Sequence, residues 1–119
     1  MNAHELNSEL NNHTGTSAYH VNPWYRWLKY TDGVKSFAHY SGGGAYWFLD
    51  IIGTELKQLA TEQDFLCITL KSERFRGHIS VTDGNDKTLY QKKIPFTDCP
   101  TGEYTFFLTN GVMMLPSEY

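Results

Sequence analysis

Residues 42–59 read GGGAYWFLDIIGTELKQL, the strongest apolar stretch of the chain. Within it Ala45, Phe48, Leu49, Ile52, Leu56 and Leu59 recur at steps of three and four, and Trp47 and Ile51 widen the stripe they form. A stripe this wide predicts a central helix over 44–61, packed deep against a larger layer. Gly53 lies inside that helix at a cost of about 1 kcal/mol relative to Ala, which predicts close approach of another element there. Asp50, between Leu49 and Ile51, is expected on a narrow exposed stripe with Tyr46 and Lys57, or satisfied by a hydroxyl and backbone donors.

Downstream the period changes from 3.6 to 2. Leu66, Ile68 and Leu70 alternate with Cys67, Thr69 and Lys71, and Ile79 and Val81 alternate with His78, Ser80 and Thr82. Asp83-Gly84-Asn85-Asp86 reads as a hairpin loop leading into a strand from Lys87 to Ile94, closed by Pro95. After a turn over 97–102, Tyr104, Phe106 and Leu108 give a fourth strand. Asn110-Gly111 then returns Val112 to Leu115 as a fifth, which Pro116 ends.

Upstream, Asn2 with Glu5 three residues on resembles a capping box for a short helix over 3–11. NNHTGT, residues 11–16, is turn chemistry, and 17–21 a brief extended piece. WYRWLKY, residues 24–30, reads as a strand with Trp24, Arg26, Leu28 and Tyr30 on one face and Tyr25, Trp27 and Lys29 on the other. Thr31 or Asp32 caps a further short helix to about Tyr40. The expectation is a two-layer α+β fold: an antiparallel meander of about five strands, packed against a central helix with one or two short helices.

The chain has 119 residues and no composition shift or long polar linker, so a single domain over 1–119 is expected. Its hydrophobic fraction is 40% but its aromatic fraction is 15%, so rings supply much of the core. A net charge of -3 gives no basic footprint and disfavours nucleic acid as a partner. The longest uncharged apolar-rich run, 42–49, is far short of a bilayer span. MNAHELNSELNN has neither a basic start nor an apolar core, so a cytoplasmic protein with Cys67 and Cys99 as free thiols is expected.

Three segments, YTDGVKSFAHYSGGGAYWFLDII, VTDGNDKTLYQKKIPFTD and the terminal FFLTNGVMMLPSEY, together resemble a family of small prokaryotic proteins of unknown function. Its members are often encoded on phages, plasmids and integrated elements. The likeness runs from about Leu6 to Tyr119, and PSEY, residues 116–119, is its most distinctive part. SGGG stands where the family pattern has a shorter, usually charged junction. The resemblance implies no activity and assigns no catalytic residue.

The residues themselves offer two candidate sites. Gly42, Gly43 and Gly44 precede a helix, where exposed amides and the helix dipole can hold a phosphate or carboxylate, although neither a P-loop nor a dinucleotide fingerprint is present. Trp24, Tyr25 and Trp27 cannot all be buried by one helix layer, and exposed rings of this type form protein-binding hot spots. His4, His13, His20, His39 and His78 are scattered singly and give no metal spacing, and no nucleophile signature surrounds any Ser or Cys. A non-enzymatic interaction protein follows, without metal or cofactor, whose partner is a host or defence protein if the mobile-element setting holds. The alternatives are a small enzyme or nucleotide binder using the glycine-rich helix start, and a structural homo-oligomer.

Overall fold

The computed structural model describes residues 2–12 and 18–119; His13, with the rest of the turn read to Thr16, and Ser17 lie outside the described residues. Helix α1, Ala3–Asn11, starts at Asn2, whose side chain accepts from the Glu5 amide at 2.8 Å, as the spacing predicts. Leu6 and Leu10 are its buried edge. Strand β1 covers Tyr19–Val21 and β2 Lys29–Thr31. Helix α2, Asp32–Tyr40, is capped by the Thr31 hydroxyl, which accepts from the Val34 amide, and it buries Val34, Phe37 and Ala38 completely.

The central segment is two helices where one was expected over 44–61. Helix α3 covers Tyr46–Glu55 and α4 Lys57–Glu62, with Leu56 between them at φ -104° and ψ 6°. Ala45, Phe48, Leu49, Ile52 and Leu56 are nonetheless at most 1% exposed. Periodicity reports which side is buried, and a bend at one residue leaves that side unchanged. Tyr46, Asp50 and Lys57 are all exposed, as their spacing implies.

The remaining strands are β3 (Phe65–Glu73), β4 (Arg76–Thr82), β5 (Thr88–Ile94), β6 (Gly102–Thr109) and β7 (Val112–Met114), followed by the short 3₁₀ turn Pro116–Glu118. Among the described residues the fold is α+β, with four α-helices and a seven-stranded sheet in the order β1-β2-β7-β6-β3-β4-β5. The expected five-stranded antiparallel meander is corrected in two respects. First, β6 returns beside β3 rather than β5, so β6, β3, β4 and β5 form a Greek key. Second, β1 and β2 extend the sheet beyond β7, and β2 runs parallel to β7, which makes the sheet mixed. Alternation shows that Tyr104, Phe106 and Leu108 share a face; it carries no information about which strand lies alongside.

WYRWLKY is not a strand before Lys29. The Asn22 side chain accepts from the Trp24 amide at 2.9 Å, and successive turns follow, Tyr25 N–H to Asn22 O at 3.1 Å and Leu28 N–H to Tyr25 O at 3.2 Å. An asparagine that satisfies nearby amides competes with the extended form that the alternating rings suggest.

Leu66, Ile68, Leu70, Ile79, Val81, Phe106 and Met113 point to one face and are fully buried there. Phe37 of α2 and Phe48 of α3 meet that face at Phe106, with ring centroids 4.9 and 5.2 Å away. The opposite face carries Thr69, Lys71, His78 and Ser80, with half-buried Cys67 and Phe107. Both cysteines are free.

Candidate functional site

The first candidate segment divides sharply. Tyr25 lies against Gly53: a Cβ built on that glycine would stand 2.3 Å from Tyr25 Cδ2, so the close approach that Gly53 predicted is made by this ring. The Tyr25 hydroxyl donates to Asp50 Oδ1 at 2.6 Å, which satisfies the carboxylate set in the apolar helix. Burial first and this bond second push the phenol well above its ordinary pKa. Trp27 is half-buried and donates Nε1–H to the Gly53 carbonyl at 2.8 Å. Tyr25 and Trp27 thus clamp α3, while Trp24 is 91% exposed and turned into solvent.

Two residues join Trp24 that sequence reasoning did not single out. Tyr19 and Val21 on β1 are 60% and 51% exposed. Strand β1 is at the end of the sheet, and among the described residues no strand pairs with its outer edge. His20, between them, faces the other way, with its ring beside Tyr30 and its Nε2 2.8 Å from Asp32 Oδ1. The signal was present as a three-residue alternation, but it is too short to separate from a loop.

The second candidate, Gly42 to Gly44, is in contact with the segment that connects β5 to β6. The Gly43 amide donates to Asp98 Oδ2 at 2.7 Å, so a carboxylate of the chain itself sits at the glycine-rich junction. Gly42 has φ +58°, and a Cβ there would stand 2.5 Å from both the Asp98 carbonyl and Oδ1. Beneath them, the buried Ser41 hydroxyl donates to Cys99 Sγ at 2.8 Å, and Ser72 donates to the Cys99 carbonyl at 2.8 Å. Burial raises the Cys99 thiol pKa, which leaves it protonated and a poor nucleophile at neutral pH.

A third cluster lies where the terminal PSEY meets α2. Glu118 accepts from the Thr31 hydroxyl at 2.6 Å, the Gly33 amide at 3.2 Å and the Leu115 amide at 3.0 Å. Its charge thereby stands at the positive end of the helix. A Cβ on Gly33 would meet Glu118 Oε1 at 2.5 Å and Leu115 Cδ1 at 2.6 Å, so YTDGV and PSEY are two halves of one joint.

Among the described residues no group of three or more His, Cys, Asp or Glu is gathered as a metal site, and no helix is long and apolar enough to cross a membrane. No curated protein and no solved structure matches the chain. A family model does match, along residues 4–119, and the chain belongs to the family it describes, a family of unknown function (DUF6876).

Proposed function

We propose that the chain is a single-domain, non-enzymatic interaction module that takes an extended segment of a partner protein along the free edge of β1, with Trp24 as its anchor. The observation that carries this reading is the 91% exposure of Trp24 next to an edge strand that also turns Tyr19 and Val21 outward. An edge strand offers unpaired backbone groups to another strand, and pockets between exposed rings supply selectivity. A buried Trp side chain removes roughly 150–250 Å² from water, about 4–6 kcal/mol before the costs of association, which is the size of a binding hot spot. A protein partner in a host cell, met by a phage- or plasmid-encoded chain in the cytoplasm, fits the resemblance read from the three motif segments.

The test compares the wild type with Trp24→Ala and Val21→Pro in affinity capture from the native host, with mass spectrometry and melting curves in parallel. Trp24→Ala removes the anchor and Val21→Pro removes a backbone donor from the edge. The expected result is one host protein lost from both variants, with the melting temperature of Trp24→Ala within about 2 °C of wild type. Capture unchanged in both would overturn the reading. A dimer in sedimentation that both variants dissolve would instead assign the edge to a second copy of the chain.

A further inference from the structure

The turn between β3 and β4 has an unusual composition for its geometry. Arg74 and Phe75 sit at φ +53° and +63°, the left-handed pair of a tight hairpin. That conformation is readily adopted by Asn-Gly and disfavoured for a bulky ring. The same chain uses Asn110-Gly111, at φ +53° and +74°, for its β6–β7 hairpin. A residue held in this region where a better one exists is a reason to ask what its side chain does.

Phe75 is 68% exposed, and its ring lies nearly parallel to that of Phe96, itself 69% exposed, at a centroid distance of 6.2 Å and an interplanar angle of 8°. The pair is held in place from behind: the buried Thr97 donates its amide to the Phe75 carbonyl at 2.8 Å. Two nearly parallel rings therefore stand together at the tip, each largely exposed.

The same tip is cationic. Lys71, Glu73, Arg74, Arg76, Gly77 and His78 line an open groove of about 630 Å³. Register places Lys71 and Lys93 on either side of His78 in a row across β3, β4 and β5, with Glu103 on the other side of Lys71 and Glu73 opposite Arg76. Among the described residues the Lys92–Glu55 salt bridge lies elsewhere, and Glu103 and Glu73, which stand opposite Lys71 and Arg76 in register, close no salt bridge with them. With strands about 4.8 Å apart the row is roughly 10 Å long, more than one phosphate can cover.

From these observations we infer that the β3–β4 tip binds single-stranded nucleic acid, its phosphates on Lys71, Arg74, Arg76 and Lys93 and an unstacked base on the Phe75–Phe96 pair. Aromatic platforms flanked by a cationic groove are how proteins hold single strands without reading sequence. Duplex hides the base faces from such a platform, and four cations are few for a duplex backbone. The overall charge of -3 is no obstacle, because the field that a strand meets is local. An acidic peptide would use the cations and leave the rings idle.

Fluorescence anisotropy with a labelled 12-nucleotide oligothymidine tests this, against a duplex of equal length, inorganic phosphate and an oligoglutamate of equal charge. Binding should weaken about 20- to 50-fold as salt rises from about 50 to about 200 mM, the slope for three to four phosphate contacts on a single strand. Phe75→Leu should weaken it by about 5- to 150-fold, and the double change Arg74→Gln and Arg76→Gln should lower the salt slope by about 1.4. Arg74→Asn with Phe75→Gly installs the favoured turn; it should fold, melt higher than wild type and lose the oligonucleotide. No binding of oligothymidine at low salt, or binding untouched by Phe75→Leu, would overturn the proposal. So would oligoglutamate held as tightly as oligothymidine.

Discussion

Gly53→Ala offers a sharp test of how Tyr25 is used, because two effects of opposite sign meet at one atom. In an exposed helix the change gains about 1 kcal/mol from helix propensity alone. Here the new methyl would stand 2.3, 2.4 and 2.7 Å from Tyr25 Cδ2, Cγ and Cε2, so the ring has to retreat by roughly 1 Å to reach ordinary contact. Retreat pulls the hydroxyl from Asp50, bonded at 2.6 Å, and disturbs the Trp27 bond to the Gly53 carbonyl at 2.8 Å. Overpacking costs about 1–3 kcal/mol and each weakened bond about 0.5–1.5 kcal/mol, so a net loss of about 2–3 kcal/mol is expected after the propensity gain. For a chain of this size that lowers the melting temperature by about 8–12 °C. Thermal and urea unfolding followed by circular dichroism should be run on Gly53→Ala, Tyr25→Ala and the double variant. In the Tyr25→Ala background the clash is gone, and the glycine change should stabilise by up to about 1 kcal/mol. A Gly53→Ala single variant that melts higher than wild type would refute the reasoning.

Three further expectations follow from the same contacts. Glu118→Ala removes three hydrogen bonds and the charge at the start of α2, and should cost about 2–3 kcal/mol in urea unfolding; a loss under about 0.5 kcal/mol would mean that the terminal turn is not tied down. Glu55 is held below its ordinary pKa of 4.5 by the Tyr90 hydroxyl first and Lys92 second. Its contribution is therefore complete above pH 4.5 and lost as pH falls through the lower folded value, so Tyr90→Phe should flatten the acid limb of the stability curve, and superimposable limbs would exclude this role. Alkylation without reductant should find both thiols free, Cys67 reacting slowly in the native state and Cys99 only after unfolding; rapid native labelling of Cys99 would contradict its burial beside Ser41.

The sequence was most legible where one residue determines its own neighbourhood. Asn2 and Thr31 announce helix starts because a cap is local, and Asn110-Gly111 announces a hairpin because left-handed φ is a property of those two residues. Gly53 announced a close approach without naming the ring that makes it. The topology was hidden because partner choice is non-local: β6 can satisfy its apolar face beside β5 or β3, and only the connection carrying Thr97, Asp98 and Cys99 across the hairpin end brings it to β3. The same limit applied to the sites. Trp24 and Tyr25 are adjacent and chemically alike, yet the turn at Asn22 turns one outward and tucks the other onto α3. The cationic row was invisible because Lys71, His78 and Lys93 become neighbours only through strand register.

The segments that carry the family resemblance are largely occupied with one another. YTDGV meets PSEY through Glu118, and the aspartate of IPFTD meets the glycine junction through Gly43. Substitutions there act through stability, and a lost activity in such variants would say nothing of where a partner binds. Trp24 and the Arg74-Phe75-Arg76 turn lie outside those segments with their side chains exposed, and the turn touches IPFTD through the Phe75–Phe96 stack and the Thr97 amide on the Phe75 carbonyl. These are the positions at which binding can fail while the fold stands. The two surfaces belong to opposite ends of the sheet, β1 at one edge and the β3–β4 tip toward the other. Each can therefore be removed without the other: Trp24→Ala should leave oligothymidine binding intact, and Phe75→Leu should leave capture of the host protein intact. Loss of both functions in either variant would mean that the two surfaces serve one partner, or that the fold itself had given way, which the melting curve distinguishes.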